Sequence, residues 1–71
     1  MVVKMIKIGR SEDNDVVIDN SSVSRYHLEL FKDEEENVFI TDLDSINGTT
    51  INGRRITEPE ILKENDPNKI N

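Results

Sequence analysis

Apolar residues fall in short runs separated by clusters of Gly, Ser, Asn and Asp. Residues 2–8 are rich in Val, Ile and Met, interrupted by Lys4 and Lys7, and read as a strand that Gly9 ends. Residues 11–15 form a polar loop dense in side chains that bond their own backbone. Residues 16–18 (Val-Val-Ile) are a short run expected to be buried, and residues 19–22 are a further turn. Residues 26–31 alternate: Tyr26, Leu28 and Leu30 share one face, and His27, Glu29 and Phe31 the other. A charged loop over 32–37 leads to a second alternating strand, 38–43, so the two make a hairpin. Residues 44–48 are a turn and 49–51 a short strand. Asn52-Gly53 is a two-residue hairpin turn, because both residues accept positive φ.

The last stretch is the least regular. Thr57 and Glu60 have the spacing of a capping box, which predicts a helical turn, and Pro67 stops any helix beyond it. One frayed strand is expected near Lys69 and Ile70. Residues 57–71 therefore read as a weakly ordered or incomplete tail. Many short strands and almost no helical period predict an all-β fold, an antiparallel β-sandwich, in one domain over residues 1–71.

Composition narrows the class. The 71 residues are 34% hydrophobic and 34% charged, which leaves a thin margin between burial and chain entropy. With no cysteine, neither a disulfide nor a thiolate metal site supports the fold, and a reducing compartment fits. No cleavable leader is evident near Met1, and no run approaches about 20 apolar residues. The chain therefore reads as soluble, unexported and cytoplasmic, with no membrane partner. A net charge of -6 and a pI near 4.6 argue against a nucleic-acid partner. Yet Arg10, Arg25, Arg54 and Arg55 lie in or beside the polar clusters, so folding can gather a positive pocket on an acidic body.

Those clusters carry the chemistry. Gly9-Arg10-Ser11, Ser24-Arg25-Tyr26-His27, Ser45-Ile46-Asn47-Gly48-Thr49 and Asn52-Gly53 each sit where an apolar run starts or stops. Guanidinium, hydroxyl and amide donors suit an anion better than a bond-breaking reaction. Ser24 and His27 lack an acid partner and an oxyanion loop, so no catalytic residue is assigned. Asp42-Leu43-Asp44-Ser45-Ile46 begins like a calcium loop, but Ile46 occupies a ligand position and the glycine and final glutamate are misplaced. His27 is the only histidine and has no histidine partner for a metal. No metal or cofactor is expected. Each residue also has a bland reading: Arg10 as a solvated turn arginine, Ser24 and Ser45 as turn caps, Arg54 and Arg55 as a solvated β-edge.

Taken in order, G-R-S, S-x-x-H and N-G-T-x-x-N-G resemble the forkhead-associated (FHA) domain over about residues 6–56. The resemblance implies a β-sandwich that binds phosphothreonine peptides without catalysis. It assigns Arg10, Ser24 and Arg25 to the phosphate and Asn47 to the peptide backbone. It gives His27 a structural role across loops and leaves Gly9, Ser11, Gly48, Thr49, Asn52 and Gly53 to shape the site. Many family members have Thr or Ser where Ile46 stands, so a phosphate donor is missing. The family also has a strand before the one ending at Gly9, and closing strands after a Leu-x-x-Gly-Asp element that Leu62 to Asp66 resembles with Asn65 in the glycine place. Strands missing at both ends leave sheet edges open. The chain is therefore expected to be a fragment of a longer protein, or to complete its sheet as a homo-oligomer. A phosphate-independent scaffold with the same fold is the alternative function.

Overall fold

Seven strands form along residues 2–64, the part of the chain that the computed structural model describes. They are β1 (Val2–Gly9), β2 (Val16–Val17), β3 (Leu28–Asp33), β4 (Val38–Asp42), β5 (Thr50–Ile51), β6 (Arg54–Arg55) and β7 (Glu60–Lys63). Five make one sheet in the order β2-β1-β3-β4-β7, and β5 and β6 make a separate hairpin. The described residues are thus all-β, as the period-two pattern predicts. All pairings are antiparallel except β1 with β2, which is parallel.

The register follows from the alternation. Ile6 lies opposite Leu30, and Leu30 opposite Ile40, so these three share one face. Ile40 on that face and Ile56 beyond the hairpin are the described apolar residues that are buried. On the other face Met5 pairs with Phe31 and Phe31 with Phe39. The two rings stack at a centroid distance of 5.0 Å, an arrangement that adds to plain area burial. So small a buried core leaves much of the order in the loops to hydrogen bonds.

At Asn52-Gly53 the backbone takes φ values of 52° and 80°, the double positive turn that joins β5 to β6. Arg54 then reaches across to β7, where its two terminal nitrogens donate to both carboxylate oxygens of Glu60. That exposed bidentate pair ties the hairpin to the large sheet.

Four expectations are corrected. Residues 16–18 are not buried: Val16, Val17 and Ile18 are all exposed, because β2 is a two-residue edge strand held on one side only, by Ile8 and Gly9 of β1. No helical turn forms at Thr57. The chain instead runs into β7, which pairs with β4 through Val38, Phe39 and Ile40. Residues 60–63 of the expected loose tail are therefore part of the sheet. The charged loop is shorter than expected, since β3 continues through Lys32 and Asp33. The strand expected near Lys69 and Ile70, and the Asn65-Asp66 pair, lie outside the described residues.

Candidate functional site

Three loops meet at the end of the sheet where β1 finishes and β3 starts. Gly9 and Arg10 leave β1 and are held to the second loop by two backbone bonds, Arg10 N to Ser24 O (3.0 Å) and Ser11 N to Arg25 O (3.1 Å). Contact here is close. A Cβ on Gly9 would stand 2.2 Å from the Arg25 carbonyl oxygen, so glycine is needed for space. Asn14, buried in the first loop, donates through Nδ2 to the carbonyls of Ser11 (2.8 Å) and Arg25 (2.7 Å). Asp13 accepts from the Ser11 hydroxyl and from Tyr26 Oη (2.6 Å), and these two bonds hold its carboxyl below the ordinary range.

The second loop meets the third at three points. Ile46 N donates to Ser24 Oγ (2.9 Å), and Asn47 Nδ2 donates to Ser22 O (2.7 Å). His27 makes the third link. Its Nδ1 accepts from Ser24 N (3.0 Å), so the ring proton sits on Nε2 and is donated to Gly48 O at 2.9 Å. The buried ring therefore links the two loops. Gly48 has φ 82° and lies under the Arg55 guanidinium, whose Nε would be 2.6 Å from a Cβ there.

Sequence reasoning missed the group that shapes the third loop. Asp42, the last residue of β4, accepts from Ser45 Oγ (2.5 Å) and Thr49 Oγ1 (2.7 Å) on one oxygen and from Ser45 N (3.1 Å) on the other. Burial alone would raise its pKa. The bonds from Ser45 and Thr49, with the nearby His27, outweigh burial and leave the carboxyl below its ordinary value of 3.8. The signal available was the D-x-x-S-x-x-x-T spacing, 42, 45 and 49, which places hydroxyl donors at both ends of one turn.

A group depressed in the folded state stabilises it above the unfolded pKa, and the benefit is lost as pH falls through the folded value. Stability is therefore expected to hold down to about pH 4 and to decline below it. Asp42→Asn should be less stable at neutral pH and show a shallower acid decline. Urea melts of both chains from pH 7 to pH 3 measure this; parallel curves would contradict it.

Arg10, Ser24, Arg25 and Asn47, the four ligand contacts that the resemblance assigns, all line one pocket of about 220 Å³ together with Ser21, Ser22, Val23 and Ile46. Arg10 Nε donates to Val23 O (3.0 Å), which fixes the guanidinium plane and leaves its terminal nitrogens to a ligand. Among the described residues neither Arg10 nor Arg25 has a carboxylate within ion-pair distance. Ile46 is 85% exposed at the pocket. The shaping residues divide. None of them lines the pocket itself: Gly9, Ser11, His27, Gly48 and Thr49 lie in or bond to the loops around it, whereas Asn52 and Gly53 form the hairpin turn.

A family model for the FHA domain matches residues 6–70, and the chain belongs to that family. It is 39% identical over 64 residues to the transcriptional regulatory protein EmbR of Mycobacterium tuberculosis, an overlap covering 90% of this chain and 16% of EmbR. The structure of EmbR in complex with a low-affinity phosphopeptide superposes with a TM-score of 0.76 at 38% identity, covering 84% of this chain and 16% of that one. The FHA domain of CT664 from Chlamydia trachomatis gives a TM-score of 0.81 at 32% identity, over 87% of this chain and 63% of that one. The N-terminal FHA domain of Saccharomyces cerevisiae Rad53p, in complex with a phosphothreonine peptide, gives 0.79 at 26% identity, over 89% and 52%. The fold of these neighbours is the β-sandwich that the strand pattern predicts.

Proposed function

We propose that this chain is a phosphothreonine-peptide binding module that mediates phosphorylation-dependent protein–protein interaction in the cytoplasm. The observation that carries the reading is the convergence of Arg10, Arg25 and Ser24 on one pocket that, among the described residues, is lined by no carboxylate. A phosphothreonine brings close to two negative charges and three acceptor oxygens at neutral pH. The terminal nitrogens of Arg10 donate charge-assisted bonds to it, and Arg25 supplies a second cation. Ser24 donates its hydroxyl proton, since its oxygen already accepts from Ile46 N. Asn47 accepts a peptide N–H through its side-chain oxygen, one of its two amide N–H groups being held by Ser22 O. The phosphopeptide complexes of EmbR and Rad53p support the ligand class. The role is binding, with no catalytic step and no cofactor.

Adding a phosphothreonine peptide to the 15N-labelled chain should shift the amides of residues 10–11, 22–25 and 46–48. Shifts confined to other surfaces, or none, would contradict the reading. Ile46→Thr restores a hydroxyl at the pocket. It should tighten phosphothreonine binding about two- to tenfold, the value of roughly 0.5–1.5 kcal/mol for one added hydrogen bond. Isothermal titration reads the change, and equal or weaker affinity would contradict it.

A second reading, phosphate-independent assembly, is favoured by exposed Ile46 at the pocket and by exposed Val2, Val3 and Met5 on β1. Among the described residues β1 pairs with β2 at Ile8 and Gly9 and Lys7 N donates to Asp15 (2.8 Å), so the edge before Lys7 can take a strand from a second copy. Concentration-dependent sedimentation of the chain without phosphopeptide separates this reading from the first.

A further inference from the structure

We propose that Asp42 is a positioning residue for the phosphate site, acting through Ser45 and the Ile46 amide on the Ser24 hydroxyl. The inference rests on the phosphothreonine reading of the pocket. Asp42 does not line this pocket; it is the last residue of β4. Its carboxylate takes the Ser45 amide, the Ser45 hydroxyl and the Thr49 hydroxyl. Both ends of the Ser45–Thr49 turn are thus held by one side chain. Ser45 and Thr49 are buried, at 5% and 9% exposed, so these bonds are shielded from water.

The turn held in this way presents its next amide, Ile46 N, to Ser24 Oγ at 2.9 Å. That bond does two things to Ser24. It fills one lone pair of the oxygen, so the hydroxyl proton must point elsewhere, and it polarises the O–H as a donor. Ser24 lines the pocket, where a phosphate oxygen would accept that proton. Asp42 therefore sets the direction of a ligand donor on a different loop, through two hydrogen-bonded links, Asp42 with Ser45 and Ile46 with Ser24, joined by the Ser45–Ile46 peptide bond. A carboxylate is required for this. An amide in its place has a single acceptor oxygen for three donors, and its own N–H₂ would face one of them.

The test compares the full chain with Asp42→Asn, Ser45→Ala, Thr49→Val and the core control Ile40→Val. Two quantities are read: hydrogen exchange of the Ile46 amide without ligand, and affinity for a phosphothreonine peptide. In Asp42→Asn the Ile46 amide should exchange about tenfold faster and peptide affinity should fall about tenfold, the scale of one hydrogen bond to a charged group. Ser45→Ala and Thr49→Val each remove one donor and should move both readouts the same way, about threefold. Ile40→Val should lower the melting temperature and leave both readouts unchanged, which separates positioning from general stability. Should Asp42→Asn not fold, the two single-donor variants decide. Unchanged Ile46 exchange in folded variants overturns the relay. Faster exchange with unchanged affinity overturns its role in binding. If the unaltered chain binds no phosphothreonine peptide, the proposed function fails, and Asp42 is left with no binding role.

Discussion

Gly9→Ala is expected to destabilise the fold by about 3 kcal/mol or more, a large fraction of the stability of so small a domain. The cost is steric. An added Cβ would lie 2.2 Å from the Arg25 carbonyl oxygen, 2.9 Å from its carbon and 3.0 Å from Asn14 Nδ2. The obstructing atoms are backbone, and they are not free to retreat. The Arg25 carbonyl accepts from both Ser11 N and Asn14 Nδ2, and Gly9 O accepts from Ile18 N at 2.9 Å. Relief of the clash breaks at least one of these bonds and leaves a buried polar group unpaired, which costs about 1–3 kcal/mol on top of the overpacking. Gly53→Ala is the internal comparison. Its φ is 80° but nothing lies within 4 Å of the new Cβ, so only the conformational term applies, about 1 kcal/mol. Urea denaturation of the two variants measures the difference. A Gly9→Ala chain within 1 kcal/mol of the parent, by the magnitudes used here, would contradict the close approach of the first two loops.

Arg10→Ala is expected to lower phosphothreonine affinity by more than about a hundredfold and to leave stability nearly unchanged. Two charge-assisted bonds at about 1.5–3 kcal/mol each supply that factor. The small effect on folding follows from exposure. Arg10 is a surface residue whose one side-chain bond within the described residues is Nε to Val23 O, and the loop contact from its backbone N to Ser24 O survives the substitution. Arg10→Lys should retain part of the affinity, because a lysine keeps the charge but not the planar fork. Raising the salt concentration should weaken the parent more than Arg10→Ala, since the site is open to screening. Isothermal titration with one phosphothreonine peptide measures all three chains. An Arg10→Ala chain that binds within tenfold of the parent, well short of two lost charged bonds, would remove Arg10 from the phosphate site.

Part of the fold was legible because its signals are local. Asn52-Gly53 needs positive φ at both positions, and only a few residue types tolerate it, so the hairpin could be read from two letters. His27, the only histidine, has no histidine partner for a metal, and its structural role was implied by the motif resemblance. The pocket required three clusters to be brought together, which the motif resemblance anticipated and the structure places in space. The misreadings share one cause, in that non-local pairing overrode a local signal. The Thr57 and Glu60 capping pattern promised one helical turn, which has little stability alone. Backbone bonds to β4 and the ion pair with Arg54 hold the same segment extended. Val16, Val17 and Ile18 look like core by composition, but their exposure depends on lying at a sheet edge, which no local pattern specifies. Asp42 was read as the start of a failed calcium loop. Its role depends on hydroxyls three and seven residues on, both folded back onto one carboxylate.

The most direct test of the central claim is a fluorescence titration of the folded chain with a degenerate phosphothreonine peptide library, beside the same library carrying phosphoserine or no phosphate. Saturable binding of the phosphothreonine library at micromolar concentration, with weaker binding of phosphoserine and none without phosphate, is the predicted result. Equal binding of the phosphorylated and unphosphorylated libraries, or no binding by a chain shown to be folded, would contradict the phosphothreonine reading and favour assembly without phosphate.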